Sequence, residues 1–175
     1  DTLFVHGGIS PDLQSRAPEL LALNARIRAR LGDDRASLKD DPQASWLFLG
    51  DGPLWYRGYF KTPRASSAEV DALLKQFAVK RIVVGHTTRD AIVSLYGGRV
   101  IGIDAALKDG APGELLLWEN NRLQRGLANG SRMDLPAGDD DGTVNAMVPD
   151  AEDRAAAKAA STPALKAAQD ATKKP

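Results

Sequence analysis

The sequence predicts an α/β fold, because short apolar strands alternate with amphipathic helices along its first half. Residues 3–5 (LFV) and 81–84 (RIVV) are apolar runs that end at glycine turns, as buried strands do. Residues 18–31 and 66–77, which lie between these runs, repeat apolar side chains at helical spacing. The chain has 175 residues, enough for one ordinary domain.

Both predicted helices carry recognisable boundary signals. Pro18 suits the first turn of the first helix, and Gly32 suits its end. Ser66 and Glu69 have the spacing of a capping box at the start of the second helix. The predicted apolar faces consist of Leu20, Leu23, Ile27 and Leu31 in the first helix and of Val70, Leu73, Leu74 and Phe77 in the second.

The segments between the two helices are predicted to be irregular. Residues 32–43 (GDDRASLKDDPQ) are highly charged, and we expect them to form a loop. Residues 45–60 are apolar and aromatic but are interrupted by Gly-Asp-Gly-Pro. We therefore expect an irregular, partly buried excursion there rather than one regular element.

The second half of the chain changes to short strand-like runs, which predict an antiparallel meander. The runs AIVSLY, RVIGIDA, ELLLWE and RLQRG are separated by Gly97-Gly98, by DGAPG and by Asn120-Asn121. From about residue 127 the composition shifts to alanine, lysine and aspartate. We therefore predict a folded portion over residues 1–126 and a disordered, low-complexity tail over residues 127–175.

Charge and composition argue against several classes of protein. The 23 basic and 23 acidic side chains cancel, whereas nucleic-acid binders usually carry a basic excess. The chain has no cysteine, so it supplies no thiolate metal ligand, cysteine nucleophile or disulfide. No apolar run approaches the ~18 residues of a spanning helix, so we expect no integral membrane segment.

The sequence contains two histidines, and both lie within two residues of the end of a predicted strand. His6 precedes two glycines, and His86 follows Gly85. Ligands of α/β sheets bind at the carboxyl ends of strands, so these positions favour a functional role. Imidazole there can bind a metal ion or transfer a proton, and the structural alternative is a hydrogen-bonded turn residue.

Residues 52–58 (GPLWYRG) place an arginine among aromatic side chains in a loop bounded by glycines. The guanidinium group of Arg57 matches two phosphate oxygens, and flanking rings can hold its stem. The alternative is that Trp55 and Tyr56 anchor the core while Arg57 caps the surface.

Three ordered stretches resemble the calcineurin-like metallophosphoesterases: LFVHGGISP (3–11), PLWYRGYF (53–60) and IVVGHTTRD (82–90), followed by GGRVIGIDAAL (97–107). Within that superfamily the chain is most similar to the serine/threonine protein phosphatase-like branch, including bacterial Shewanella-like phosphatases. The resemblance covers about residues 1–125. It implies the C-terminal half of a four-layer αββα sandwich.

The resemblance also implies a set of site residues and cofactors. His6 and His86 would bind one metal of a dinuclear centre, and Arg57 would hold the substrate phosphate. Trp55 and Tyr56 would line the mouth of the pocket. The cofactors would be two divalent ions (manganese, iron or zinc) that activate a hydroxide to attack the phosphoester.

The family motifs GDxHG, GDxxDRG and GNHE, which supply the other metal ligands, do not occur in the sequence. We therefore expect the chain to be the C-terminal part of a metallophosphatase and to be inactive in isolation. Asp104 matches a recurrent position of the family, for which we expect a supporting structural role.

The function implied is metal-dependent hydrolysis of phosphoesters, with a phosphoprotein or a small phosphorylated molecule as substrate. One alternative is hydrolysis of a dinucleoside polyphosphate or a phosphodiester by the same fold. Another is a noncatalytic binding module in which His6 and His86 are turn residues. We expect a bacterial protein of the periplasm or the cytoplasm, the periplasm being favoured, without a nucleic-acid partner.

Overall fold

The structure, a computed structural model of the protein, describes residues 1–16 and 19–138. Helices are concentrated before the second strand, and strands dominate after it. The strands are β1 (Thr2–Val5), β2 (Arg81–Val84), β3 (Val93–Leu95), β4 (Val100–Gly102), β5 (Glu114–Glu119), β6 (Arg122–Leu127) and β7 (Arg132–Asp134). The helices are α1 (Pro11–Arg16), α2 (Leu20–Ala29), α3 (Arg35–Asp40), α4 (Pro42–Phe48) and α5 (Ser67–Gln76), with 3₁₀ turns at Tyr96–Gly98 and Leu107–Asp109.

Strands β1 to β4 form a four-stranded sheet with the order β1-β2-β4-β3. β1, β2 and β4 run parallel, and β3 pairs antiparallel with β4. Val5 at the end of β1 lies opposite Val84 at the end of β2. The chain therefore leaves both strands at the same edge of the sheet, which is where the two histidines follow.

The two faces of this sheet pack against different partners, because successive side chains of a strand point to opposite faces. Ile82 and Val84 point into the larger core, where they join helical side chains that include Leu23 and Val70. The smaller core on the other face contains Val83, Ile92, Ile101 and Ala105, with Leu116, Leu123 and Leu135 packed against it.

Strands β5, β6 and β7 form a separate antiparallel sheet that contributes to the smaller core. The predicted meander is confirmed for the β3–β4 and β5–β6 pairs. It is wrong at β4, which also pairs in parallel with β2. Periodicity does not reveal this pairing, because an apolar strand shows the same pattern whether its neighbour is parallel or antiparallel.

Both predicted helices are present. α2 lies within the predicted range, with Leu23 buried and Leu31 exposed beyond its end, while Pro18 lies outside the described residues. At α5 the Ser66 hydroxyl accepts the backbone N–H of Glu69, and the Glu69 carboxylate accepts the backbone N–H of Ser66. The predicted capping box is therefore confirmed.

The predicted charged loop over residues 32–43 is wrong, because it contains α3 and the start of α4. Asp34 caps α3 and Asp41 caps α4, each by accepting two backbone N–H groups at the start of its helix. These caps satisfy donors that a short helix would otherwise leave unpaired. Since α4 continues to Phe48, the first part of the predicted irregular segment 45–60 is also helical.

The α/β class is confirmed, but the four-layer αββα sandwich is not supported. Within the described ranges, helices pack on one face of the four-stranded sheet and the three-stranded sheet packs on the other. The description of the chain as half of a metallophosphoesterase sandwich is therefore replaced by a mixed α/β arrangement with two sheets.

The predicted boundary at residue 126 falls inside β6, and β7 pairs with β6 beyond it. Most of the predicted tail, residues 139–175, lies outside the described residues. None of the helices within residues 1–16 and 19–138 has the length and apolar character needed to cross a membrane.

Asp41 allows a test of the start of α4. Hydrogen bonds from the Arg30 side chain and from the backbone of Gln43 and Ala44 hold the pKa of Asp41 below its usual value of 3.8. Such a carboxyl stabilises the fold above its unfolded pKa, and this stabilisation is lost as the pH falls through the lower, folded value. We expect the urea midpoint to fall less steeply below about pH 4 in Asp41→Asn than in the wild type.

Asparagine still caps a helix but does not ionise, so this variant isolates the charge. Asp40→Asn, one residue earlier at an exposed position, is the matched control and should keep the wild-type pH dependence. Identical pH profiles for Asp41→Asn and the wild type would contradict the role given to Asp41.

Candidate functional site

The carboxyl ends of β1 and β2 bring the two histidines of the sequence together. The His6 carbonyl accepts a hydrogen bond of 2.9 Å from the backbone N–H of Gly85, which continues the parallel pairing past the last strand residues. The imidazole rings of His6 and His86 have centroids 5.0 Å apart and are tilted by 49°. His6 is exposed and His86 is partly buried, so one ring faces solvent directly while the other lies deeper.

Trp55 adds a third ring to this pair. Its indole meets the His86 ring edge-on, with centroids 5.1 Å apart and an angle of 88° between the planes. The Trp55 side chain is 47% exposed, so part of the indole ring is accessible from solvent. We call the three side chains of His6, Trp55 and His86 the ring cluster.

The glycines after His6 fix the loop that carries Trp55. The backbone N–H groups of Gly7 and Gly8 donate to the carbonyl of Pro53, at 2.7 and 3.3 Å. A Cβ on Gly7 would lie only 2.9 Å from backbone atoms of Leu54 and Trp55. Glycine is therefore required at position 7 so that two backbone segments can approach each other.

His86 occupies a backbone conformation that most side chains avoid. Its φ is +61°, in the left-handed region, and the next N–H, that of Thr87, donates to the Gly85 carbonyl at 2.6 Å. Strained backbone of this kind persists where the surrounding structure holds it, and it is concentrated at functional sites.

Asp104 supports the turn that carries His86. The Thr88 hydroxyl donates to the Asp104 carboxylate at 3.2 Å, and the backbone N–H of Arg89 donates to the Asp104 carbonyl at 2.7 Å. Both contacts tie the segment after β2 to the segment after β4. Asp104 thus positions the turn and does not contact the ring cluster through these bonds.

Tyr56 lies in the core, although it follows Trp55 directly. It is 7% exposed, and its ring packs edge-on against that of Tyr59 at 5.2 Å. Burial raises the pKa of Tyr56, so its hydroxyl stays protonated at neutral pH. The buried hydroxyl of Tyr59 donates to the Ile9 carbonyl and accepts the Ile9 N–H, which anchors the segment after the glycines.

Arg57 lines a cleft of about 550 Å³ that Trp55 also lines. We call it the basic cleft. It is lined by Pro11, Asp51, Trp55, Tyr56, Arg57, Gly58, Lys61, Thr62, Pro63, Arg64, Ala65 and Glu69. His6 and His86 are not among these residues, so Trp55 is the residue that the ring cluster and the cleft share.

Lys61, Arg64 and Arg89 were not identified from the sequence. Lys61 and Arg64 follow Arg57 at intervals of four and three residues, and this run of cations is the signal that could have pointed to them. Arg89 is only 5% exposed, and its guanidinium group lies 5.1 Å from the centre of the Phe60 ring. No local pattern indicates that an arginine at this position is buried.

The described residues offer an imidazole pair rather than a complete metal site. Across residues 1–16 and 19–138, no group of three or more histidine, cysteine, aspartate or glutamate side chains is placed to hold a metal ion. Two neighbouring imidazoles can still donate hydrogen bonds to an anion.

The chain is similar to solved structures that are named phosphatases. No protein-family model matches the chain. Two similar solved structures are named cold-active protein tyrosine phosphatase, one of them from a psychrophilic Shewanella species, with identities of 46% and 47%. Each match covers 77% of this chain with a TM-score of 0.72, and the chain spans 39% and 40% of those longer chains. An uncharacterized protein of Schizosaccharomyces pombe is 30% identical over 113 residues, which are 63% of this chain and 33% of that protein.

These similarities contradict the family predicted from the motifs. The similar structures are named protein tyrosine phosphatases, so the assignment to the calcineurin-like metallophosphoesterases and their serine/threonine phosphatase-like branch is corrected. The two divalent metal ions, manganese among the candidates, were implied only by that resemblance and are withdrawn with it. The physical reason for the wrong assignment is visible at Gly7. Backbone packing against Leu54 and Trp55 requires a glycine beside His6, and many folds can impose such packing, so this short motif does not identify one family.

Substitution of Gly7 tests whether its missing side chain fixes the ring cluster. Gly7→Ala should lower the free energy of unfolding by about 1–3 kcal/mol, because the new methyl group meets backbone atoms that cannot rotate away. Urea denaturation followed by tryptophan fluorescence measures the change. Gly32→Ala is the control, since a Cβ at Gly32 has nothing within 4 Å. Equal stability of the two variants would show that the approach at Gly7 is not constrained.

Proposed function

We propose that the protein hydrolyses phosphoesters and that its substrates are proteins phosphorylated on tyrosine. The observation that carries this proposal is the ring cluster of His6, Trp55 and His86 at the strand ends. The chain that builds it is 46% identical to a solved protein tyrosine phosphatase. The fold likeness supports phosphoester hydrolysis, and the choice of phosphotyrosine rests on the name of the similar protein.

The two imidazoles have different surroundings, which suggests different roles. His86 is partly buried and held in a left-handed turn, so it suits a fixed hydrogen bond to a phosphate oxygen. His6 is exposed, so it suits exchange of a proton with the attacking water or the leaving phenolic oxygen. Because the sequence contains no cysteine, the nucleophile in this proposal is water and not a thiolate from this chain.

Trp55 and Arg57 suit the binding of an aromatic phosphoester. The exposed indole of Trp55 offers a surface on which the substrate ring can pack beside His86. A guanidinium group binds two phosphate oxygens at once, which a point charge does not do. Tyr56 is a buried wall of the basic cleft, so its contribution is to shape the cleft and not to donate to substrate.

Removal of either imidazole tests the proposal. In the full-length protein, His6→Ala and His86→Ala should each lower kcat/KM for p-nitrophenyl phosphate by about 10²–10⁴-fold, the usual contribution of a group that transfers or orients a proton. Steady-state kinetics give the result, with urea denaturation to confirm folding. Asn24→Ala, at an exposed position of α2, is the control.

Two results would contradict the roles given to the imidazoles. One is unchanged turnover in both histidine variants. The other is a requirement for a metal ion: a chelator abolishes the activity of the wild type, and a divalent cation restores it. If the cation restores no activity in the histidine variants, the histidines are metal ligands.

The same assay examines Arg57 through inhibition by inorganic phosphate. Loss of charged hydrogen bonds in Arg57→Ala costs about 1.5–3 kcal/mol, so the inhibition constant should rise by about 10- to 150-fold. Arg26→Ala, at an exposed position of α2, is the matched control. An inhibition constant that stays the same in Arg57→Ala would remove Arg57 from the phosphate site.

A further inference from the structure

Arg89 is a buried arginine that the proposed reaction does not use. It follows His86 closely in the sequence, and its side chain is only 5% exposed. Arginine is rarely buried to this extent, because its charge loses hydration in the interior of a protein. We therefore expect the contacts of Arg89 to offset this cost, and these contacts join two segments of the site.

The backbone of Arg89 belongs to the turn that carries His86. The N–H of Arg89 donates to the Asp104 carbonyl at 2.7 Å, and the Thr88 hydroxyl donates to the Asp104 carboxylate at 3.2 Å. Thr87 and Thr88 are buried as well. The segment from His86 to Arg89 is therefore restrained as a unit, so the Arg89 side chain and the His86 ring have a fixed relation.

The side chain of Arg89 contacts a different segment, the loop that carries Trp55. Its guanidinium carbon lies over the Phe60 ring, 5.1 Å from the ring centre, which is within the range of a cation–π interaction. Phe60 is buried, and its backbone N–H donates to the Arg57 carbonyl at 2.9 Å. Phe60 therefore ends a tight turn that begins at Arg57, just after Trp55.

The end of β4 leaves room for the Phe60 ring. Gly102 of β4 pairs with Val84, the last residue of β2, which leads to His86. A Cβ at Gly102 would lie only 2.9 Å from the Phe60 ring. The ring therefore occupies the space that a side chain at Gly102 would need, next to the strand that leads to His86.

The loop that carries Trp55 is thus held from both strands whose ends carry the histidines. The hydrogen bonds of Gly7 and Gly8 to Pro53 tie this loop to the segment after β1. The contact between Arg89 and Phe60 ties the same loop to the turn after β2. An apolar side chain could fill the space of Arg89, but the attraction of a cation to a ring face is directional, so it also fixes how loop and turn lie relative to each other.

We propose that Arg89 is a positioning residue whose contact with Phe60 holds the Trp55 indole against the His86 ring. The inference rests on the proposed function, in which the ring cluster is the phosphate site. Arg89 acts through the two segments that it joins and does not touch the substrate. Without this contact the loop and the turn keep their own hydrogen bonds but lose their alignment, so the fold persists while the site is displaced.

The test uses Arg89→Met in the full-length protein, which removes the charge but keeps a long side chain. NMR cross-peaks between the rings of Trp55 and His86, whose centroids are 5.1 Å apart, should be lost. The kcat for p-nitrophenyl phosphate should fall by about 10–100-fold, the cost of a displacement of about 1 Å. Arg89→Lys, which keeps a cation, should restore the cross-peaks. Arg81→Met is the matched control, because Arg81 stacks on Trp118 at the other end of β2, and it should change neither quantity.

A second variant keeps the inference testable if Arg89→Met does not fold, as judged by urea denaturation. Phe60→Leu removes the ring and should also abolish the cross-peaks, and the double variant should lose no more activity than either single one. Retention of the cross-peaks in folded Arg89→Met, or in Phe60→Leu, would overturn the role given to Arg89. If the wild type does not hydrolyse p-nitrophenyl phosphate, the proposed function fails, whereas the cross-peaks still decide whether Arg89 positions the rings.

Discussion

The site depends on one constraint, the contact between the backbone after β1 and the backbone of the loop that carries Trp55. Gly7 and Gly8 both donate to the Pro53 carbonyl, and Gly7 leaves no space for a side chain against Leu54 and Trp55. Parallel pairing of β1 with β2 also positions the site, because it brings the ends of both strands to one edge of the sheet. Together these contacts position three rings that are distant in sequence. The buried Tyr59 hydroxyl reinforces them through its two hydrogen bonds to Ile9.

This geometry explains why the ring cluster and the basic cleft are adjacent. The ring cluster lies at the strand ends, and the loop that contributes Trp55 continues directly into the cations of the basic cleft. A single loop therefore contributes side chains to both the ring cluster and the cleft. The backbone of His86 is in the left-handed region, and the contacts of Asp104 with the following residues stabilise the turn that holds His86 in this conformation. The activity proposed for this site is based on the similarity of the chain to a solved protein tyrosine phosphatase.

Local signals predicted the parts of the fold that depend on neighbouring residues. Ser66 and Glu69 predicted the capping box, and the apolar run at residues 81–84 predicted β2, because both are determined within a few residues. Asp34 and Asp41 are also local caps, but the high charge of their segment suggested a loop. The parallel pairing of β4 depends on distant residues, and no period in the sequence encodes it. For the site, strand ends predicted where the histidines lie, whereas short motifs gave the wrong family because packing alone can require their glycines.

The most direct measurement of the central claim is an NMR titration of the protein with inorganic phosphate. The two histidines give two sets of ring signals, and Trp55 gives an indole signal that Trp55→Phe identifies. If the ring cluster is a single phosphate site, the signals of His6, His86 and Trp55 shift together and follow one dissociation constant. Cross-peaks between the rings of His6 and His86 should also be present, as their centroids are 5.0 Å apart. Histidine signals that shift at different phosphate concentrations, or that do not shift while other residues respond, would contradict the account.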